Sequence, residues 1–445
     1  MTLKIYNTLT KKKEEFKPIK KGEVGIYLCG PTVNGVPHLG HARARIVFDV
    51  LRKYFIFLGY KVKFVSNITD IDDKIINKAK ELKLTTDEVV RMNEKEHIED
   101  YSALGVLAPD FMPHATEYIK EMIELIKLLE KKSYTYEIPE DGIYYDVSKF
   151  ENYGKLSGIN LEELQSKRKL IDSTKGQDKK DKKDFVLWKF SKPDEPKWDS
   201  PWGAGRPGWH IECSAMTHTL LGNPFDIHAG GQDLIFPHHE DEIAQSEAGY
   251  GKKMANYWMH NGMINIEKVK MSKSLGNYTT IKEILKEYSP EVIRYFILST
   301  NYRKSIDFSK KFLDEAKTAH ERLKRAVLAL EDDEELNKKA LEDFENAMNE
   351  ELNTAGALQV IWNLVKDENA EGKIGAIKKM DEVLGLKLLE QEKLKIPKEI
   401  SELIKERDEA RKSKNWKKSD DIRDKLKNKG FNVLDSPEGT KVEKL

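Results

Sequence analysis

Val24-Gly25-Ile26-Tyr27-Leu28-Cys29, followed by Gly30-Pro31-Thr32-Val33-Asn34-Gly35-Val36-Pro37-His38-Leu39-Gly40-His41, decides the fold. The apolar run reads as a short buried strand, and Gly30, Pro31, Asn34, Gly35 and Pro37 break it with a loop. Ile46, Val47, Val50, Leu51, Tyr54 and Phe55 then recur at helical spacing until Gly59, a residue suited to end a helix. Lys61 to Val65 alternates like a second strand and Asp72 to Leu82 like a second helix. Strand, helix, strand, helix is the pattern of an α/β protein with a parallel, doubly wound sheet. Ligands of such sheets gather at the carboxyl ends of the strands, where Cys29 to His41 and Asn67 to Asp73 fall.

Farther out the composition shifts. From about Ala108 to Ser200 a helical stretch (Tyr118 to Lys131), a Tyr-rich strand-like stretch around Ile143 to Val147 and the polar run Lys175 to Asp184 read as an insertion. Sheet-like features resume at Phe225 to His228 and Trp258 to Ile266, so the sheet domain is expected to be split in sequence. From Phe312 on, Phe312, Ala316, Ala319, Leu323, Ala326 and Leu330 form a helical packing stripe. A small tail follows Pro397, with Gly430, Pro437 and Gly439 marking turns after a basic helix. The boundaries drawn are 1–108 and 201–277 for the split sheet domain, 109–200 for the insertion, then 278–338, 339–397 and 398–445.

The chain of 445 residues is 39% hydrophobic and 34% charged, which excludes a disordered polymer and suits two to four folded domains. No apolar run approaches the ~20 residues that span a bilayer, and the Lys-rich beginning lacks a signal-peptide core. A cytoplasmic protein without a membrane partner is therefore expected. The 76 basic and 76 acidic residues cancel, so only local charge can speak for a nucleic-acid partner. Between Arg411 and Lys429 stand nine basic and three acidic residues with one aromatic, Trp416; a solvated helix face and an RNA-phosphate surface both fit. Cys29 and Cys213 are the only cysteines, far apart in sequence and not expected to form a disulfide.

His38 to His41 stand where the first loop enters the first long helix. A helix N-terminus offers free amide donors to a phosphate, and Gly40 allows close approach. Lys270-Met271-Ser272-Lys273-Ser274 reads as a closing loop that brings two ammonium groups to polyphosphate oxygens. Taken singly, paired histidines and a basic pentapeptide are common without function. Together, in this order on a parallel-sheet pattern, they resemble the signature pair of the class I aminoacyl-tRNA synthetases.

Cys29, Cys213, His238 and Glu242 make a zinc set of two thiolates, an imidazole and a carboxylate, with Pro237 suited to a first helical turn and His238 and Glu242 sharing a face. Each cysteine alone is as readily a small buried hydrophobe, and an acidic first turn serves the helix dipole. These residues resemble those of the cysteinyl-tRNA synthetases, where zinc binds the substrate thiolate. The likeness extends to Asn67-Ile68-Thr69-Asp70-Ile71-Asp72-Asp73-Lys74, Tyr153-Gly154-Lys155-Leu156-Ser157, Asp226 to Asp233 and Asp435 to Thr440. Ala229 and His114 depart from the residues usual there.

The resemblance implies that Thr69, Trp209 and His228 surround the amino acid, and that Gly231 and Asp233 serve adenosine. It also implies that 278–338 contacts the tRNA stem, that the later helices and tail grip tRNA, and that Trp416, Arg423 and Asp435 take part. The implied reaction has two steps. The L-cysteine carboxylate attacks the α-phosphate of ATP, with magnesium accompanying the nucleotide, His38 and His41 stabilising the transition state and Lys270 and Lys273 holding pyrophosphate; the acyl group then passes to tRNA(Cys). A monomer is expected. The rival readings are a cysteine ligase acting on a small amine, for which the tail is superfluous, and an inactive RNA-binding paralogue, for which the intact motifs are.

Overall fold

In the computed structural model, residues 2–158, 179–266, 269–270, 278–391, 397–436 and 439–444 are described. The centre is a four-stranded, wholly parallel sheet. Its strands and crossing helices are β1 (Glu23–Leu28), α1 (Leu39–Phe57), β2 (Lys61–Val65), α2 (Trp209–Leu221), β3 (Phe225–Gly231), α3 (Glu240–Tyr250) and β4 (Ala255–Asn261). The order across the sheet is β4-β3-β1-β2, so the chain turns one way from β1 to β2 and the other from β3 to β4. A crevice for a ligand opens between β1 and β3, at that reversal.

Sequence explains these elements. Val24, Ile26, Tyr27 and Leu28 are buried almost completely, as a central strand covered on both faces requires. Helix α1 buries Leu39, Ala42, Ile46, Val50, Leu51, Tyr54 and Phe55, and Gly59 follows it at φ +85°, a left-handed conformation that glycine adopts without steric cost. Asp72 caps Asp73–Leu82 by accepting from the Lys74 amide. Register matters most. It pairs Tyr27 with His228 and His228 with Trp258, lining one row across three strands.

The insertion forms its own antiparallel sheet from Thr135–Ile138, Gly142–Tyr145, Phe185–Phe190 and Gly205–Pro207, backed by Ile119–Lys131. Met122, Leu125, Ile126 and Leu129 pack with Tyr145, Phe185 and Trp188 in its core. Helices Lys310–Leu328, Lys338–Asn349, Thr354–Lys366 and Lys373–Leu384 follow. Residues 389–445 form a second compact unit. There Ile400, Ile422, Leu426, Phe431 and Val442 join helices Lys398–Lys412 and Trp416–Asn428 to the hairpin of Phe431–Ser436 and Gly439–Lys444.

The structure refines four expectations. The stripe on Lys310–Leu328 has the right period on an offset face: Ala316 and Leu323 are buried as expected, but Leu313, His320 and Val327 join them, and Phe312 is left 42% exposed. The sheet-like stretch from Trp258 to Ile266 holds two strands: β4 ends at Asn261 and a short strand, Ile264–Ile266, starts anew beside Ile306–Phe308, which the Gly262 amide allows by bonding to the Tyr302 carbonyl. Pro237 lies in a wide turn, Ile235–His239, and α3 begins only at Glu240, since Phe236 has extended backbone. The basic stretch is two helices, broken at Ser413–Asn415, where Lys414 adopts φ +57°. Among the described residues no helix is long and apolar enough to cross a membrane.

Candidate active site

Two loops leave the carboxyl ends of β1 and β2 and lie against each other. The Gly30 amide donates to Asn67 Oδ1, the Thr69 amide to the Pro31 carbonyl and the Val33 amide to the Thr69 carbonyl. A Cβ at Gly30 would stand 1.5 Å from the Asn67 carbonyl oxygen, so only glycine fits there. This stitching sets Cys29 at the sheet's edge of the crevice, and its amide extends the ladder to Ala229.

Cys213 comes from α2, and His238 and Glu242 from the wide turn and α3. Their donor atoms, with that of Cys29, all lie within 4.8 Å of one another. The sulfurs are 3.7 Å apart, Cys213 Sγ is 3.6 Å from His238 Nε2, and His238 Nε2 is 2.9 Å from Glu242 Oε1. With Zn–S bonds of about 2.3 Å and Zn–N bonds of about 2.05 Å, a tetrahedral ion would hold two sulfurs about 3.8 Å apart and a sulfur and nitrogen about 3.6 Å apart. The donor set and spacing therefore fit zinc.

Electrostatics agrees. Burial pushes both thiols up, but the hydrogen bonds of Cys213 to Cys29 and His238 overcome it and bring Cys213 to about 6, while Cys29, beside Cys213 and Glu242, rises. The two titrate as one unit sharing a proton. Burial also opposes the charges on Glu242 and His238, yet His228 and His238 hold Glu242 at about 2, and Glu242 and Cys213 lift His238 to about 10. A divalent ion would replace the shared protons.

Behind the ligands stand residues that no sequence spacing announces. His210 Nδ1 lies 2.8 Å from His238 Nδ1, and His210 Nε2 lies 3.2 Å from Asp241, which also accepts from the Tyr153 hydroxyl. A carboxylate thus orients one imidazole, which orients the next and turns His238 Nε2 inward. On the other flank His239 Nε2 is 3.2 Å from Cys29 Sγ, its Nδ1 2.8 Å from His260, and His260 2.8 Å from Thr8. Burial, with His228 and the neighbouring imidazoles adding to it, keeps His239 and His260 neutral. Cys29, His228, His239 and Glu242 also lie within 4.8 Å of one another; they share Cys29 and Glu242 with the first set, which alone brings both thiols together.

Of the expected amino-acid contacts, Trp209 lines the cavity, stacked 4.3 Å from His238 with Lys74 over its ring. Thr69 and His228 lie deeper. Thr69 Oγ1 donates to Glu212 at 2.7 Å and His228 Nε2 to Glu242 at 2.7 Å. His228 Nδ1 and Glu212 Oε1 are buried with no hydrogen-bond partner among the described residues.

The cavity, about 460 Å³, runs from Cys29 past Trp209 to His38, Gly40, His41, Gly231 and Asp233. His38 caps α1: its Nδ1 accepts from the Gly40 amide at 3.1 Å, and His41 Nδ1 accepts from the His38 amide at 3.2 Å. Both neutral rings therefore carry their proton on Nε2, and they stack 3.9 Å apart. A Cβ at Gly40 would come within 2.9 Å of the His38 ring, and one at Gly231 within 2.5 Å of Asp233. Lys270 ends the strand Val269–Lys270; its side chain and all of Lys273 lie outside the described residues. In the second unit Trp416 is 60% exposed and Arg423 pairs with Asp420 at 2.8 Å; the Asp435 side chain is outside the described residues.

Comparisons with known proteins bear on this geometry. Residues 15–318 match the family model described as tRNA synthetases class I (C) catalytic domain, and residues 395–442 match Cysteinyl-tRNA ligase anticodon binding domain. The cysteine–tRNA ligase of Thermodesulfovibrio yellowstonii is 46% identical, over 98% of this chain and 99% of that protein. Among solved structures, Mycobacterium tuberculosis methionyl-tRNA synthetase in complex with methionyl-adenylate superposes with a TM-score of 0.57 at 14% identity, covering 82% of this chain and 88% of that one. At that identity the likeness concerns the fold alone.

Proposed function

We propose how the site residues divide the labour from one premise: the chain belongs to the cysteine–tRNA ligase family of class I aminoacyl-tRNA synthetases. Its reaction joins cysteine to tRNA at the expense of ATP. The proposal concerns which residues do so, and with what metal.

Cys29, Cys213, His238 and Glu242 would hold one zinc ion, which when bound offers a soft Lewis acid to the thiolate of L-cysteine. His210 and Asp241 keep His238 turned toward that ion, and His239 donates to the Cys29 sulfur. Trp209 walls the amino acid, and Thr69 and His228 brace that wall from behind. At the other end His38 and His41 present two Nε2–H donors beside the free amides of α1, where charge accumulates on the α-phosphate. Gly231 and Asp233 take the adenosine, with magnesium accompanying ATP, and Lys270 and Lys273 take the pyrophosphate. Trp416, Arg423 and Asp435 contact tRNA(Cys) from the second unit.

What carries this reading is the single cavity lined at one end by Cys29, a member of the four-donor corner, and at the other by the paired imidazoles. Serine and cysteine are near-isosteric, and a pocket judging one small group discriminates only about 10- to 200-fold by shape. A thiolate-selective ion resolves them at activation, with no hydrolytic editing. The test is exchange of pyrophosphate into ATP followed by charging of tRNA(Cys): both must require cysteine. Exchange without transfer to tRNA, but with transfer to a small amine, would overturn it.

A further inference from the structure

Arg43 stands two residues beyond His41 on α1 and is completely buried. A buried guanidinium ordinarily faces a carboxylate, because an uncompensated charge in the interior is costly. Among the described residues, none of the partners of Arg43 is acidic. Nη1 donates to the Met263 carbonyl at 2.7 Å, and Nη2 donates to the Tyr302 carbonyl at 3.1 Å and to the Lys304 carbonyl. Two of these oxygens also accept from the backbone, Met263 from the Ile306 amide and Tyr302 from the Gly262 amide. The side chain thus closes a three-way joint between α1, the short strand Ile264–Ile266 and the 301–304 turn.

That strand leads into the lysine motif. Asn265 pairs with Lys270 and Ile266 with Val269, so Met263 is the foot from which the Lys270 hairpin rises. The chain returns from the motif onto the same helix entrance: the Leu39 amide bonds to the Thr279 carbonyl, His38 bridges to Thr280, and the Ile281 amide bonds to the Pro37 carbonyl. Both feet of the lysine segment are therefore fastened to the segment that carries His38 and His41. The return is fastened by backbone, and the departure by one side chain. A planar fork serves the three carbonyls from two nitrogens, whereas a lysine ammonium offers a single nitrogen. Burial draws the Arg43 pKa down to about 10, so it is cationic at neutral pH. The joint has no slack, since a Cβ at Gly262 would stand 2.4 Å from the Lys304 carbonyl oxygen.

We propose that Arg43 is a positioning residue for adenylate formation, fixing the foot of the Lys270–Lys273 segment against the His38–His41 turn so that both grip one ATP. This rests on the phosphate-binding role proposed above for Lys270 and Lys273. Arg43 does not line the cavity that runs from Cys29 to His38 and His41.

The test is a double-mutant cycle in the full chain loaded with zinc. Arg43→Lys should lower the single-turnover rate of adenylate formation by about tenfold or more and raise the KM for ATP, leaving zinc content and the KM for cysteine unchanged. In a Lys273→Ala background the same substitution should cost less than about threefold, because the group it positions is gone. Should Arg43→Lys destabilise the fold, Gly262→Ala perturbs the joint from the other side and must show the same non-additivity. Equal losses in both backgrounds, or a loss shared by the KM for cysteine, would overturn the proposal in favour of a purely structural role. The underlying role fails separately, if Lys273→Ala alone leaves the rate unchanged. Hydrogen exchange then still reads the joint: faster exchange at the Ile306 amide in Arg43→Lys upholds the anchoring, and unchanged exchange rejects it.

Discussion

The thiol corner and the basic tail achieve binding by opposite means. At the corner, Cys213, His238, His239, Glu242 and Asp241 are all at least 98% buried, and nearly every polar atom is answered by another, out to Thr8 and Tyr153. In the tail, Lys417, Lys425 and Lys427 are exposed, and Trp416 offers most of its indole to solvent. Charges in a dry, fixed array act strongly and are little screened, whereas exposed charges act weakly, additively and at the mercy of salt. The corner should therefore fail abruptly when one member changes, and the tail by degrees.

The corner can be broken most severely at a ligand. Cys213→Ser replaces a thiolate by an alcohol that zinc binds poorly, and is expected to lower bound zinc well below one per chain and cysteine activation by about a thousandfold. Metal analysis and pyrophosphate exchange check both, and an active, zinc-replete variant would remove the comparison's first half. At the phosphate end, Lys273→Ala should lose one charge-assisted contact, about 1.5 to 3 kcal/mol or roughly 10- to more than 100-fold in the single-turnover rate, with cysteine binding preserved.

A subtler break lies behind the ligands. His210→Ala leaves the four donors in place but removes the imidazole that orients His238, and should weaken zinc affinity by about 10- to 100-fold in competition with a chelator. Affinity indistinguishable from the parent would mean that the row through Asp241 is packing and nothing more.

For the tail, Trp416→Ala is expected to weaken tRNA(Cys) binding by about 1 to 3 kcal/mol if the ring stacks on a base. Lys417→Ala should cost little at fixed salt but lower the salt slope of binding by roughly 0.7 to 0.9. Neither should alter cysteine activation. A tail variant that slows pyrophosphate exchange would contradict the division between the two regions.

The smallest effect concerns Asp100, a buried carboxylate outside both regions, whose burial, only partly relieved by Lys282, raises its pKa to about 6. The folded state thus binds its proton more tightly than the unfolded chain, with its ordinary value near 4. The resulting penalty is absent below pH about 4, grows between about 4 and 6 and stays constant above. Asp100→Asn should then stabilise the protein by about 1 kcal/mol at pH 7.5, and by nothing at pH 3.5. Thermal melts at the two pH values read the difference, and equal shifts at both would contradict it.

The sequence was legible where chemistry and period coincide. The first strand, its loop and α1 announce themselves by an apolar run, glycines and prolines, and a helical stripe. The four donors stand out because a chain with two cysteines places both beside candidate active-site segments. His210, Asp241, His239 and His260 carry no such mark: they stand on α2, α3, the wide turn and β4, and it is the packing of these distant elements that gathers them. Arg43 hides for a related reason. An arginine in the second turn of a helix carries no sequence mark of burial, and the return of the chain at Met263 and Tyr302 gives it partners inside. The stripe of Lys310–Leu328 shows the remaining weakness, since period survives a shift of face that only packing decides.

The account stands most directly on selection of cysteine by a metal held in the thiol corner. Pyrophosphate exchange with cysteine and with serine, measured on the full chain as purified, after chelation and after zinc is restored, reads that claim in one experiment. The expected result is a single zinc per chain, exchange with cysteine that disappears with the metal and returns with it, and a serine rate below the cysteine rate by far more than the ~200-fold that shape allows. Cysteine exchange that persists at full rate in metal-free protein would contradict the account.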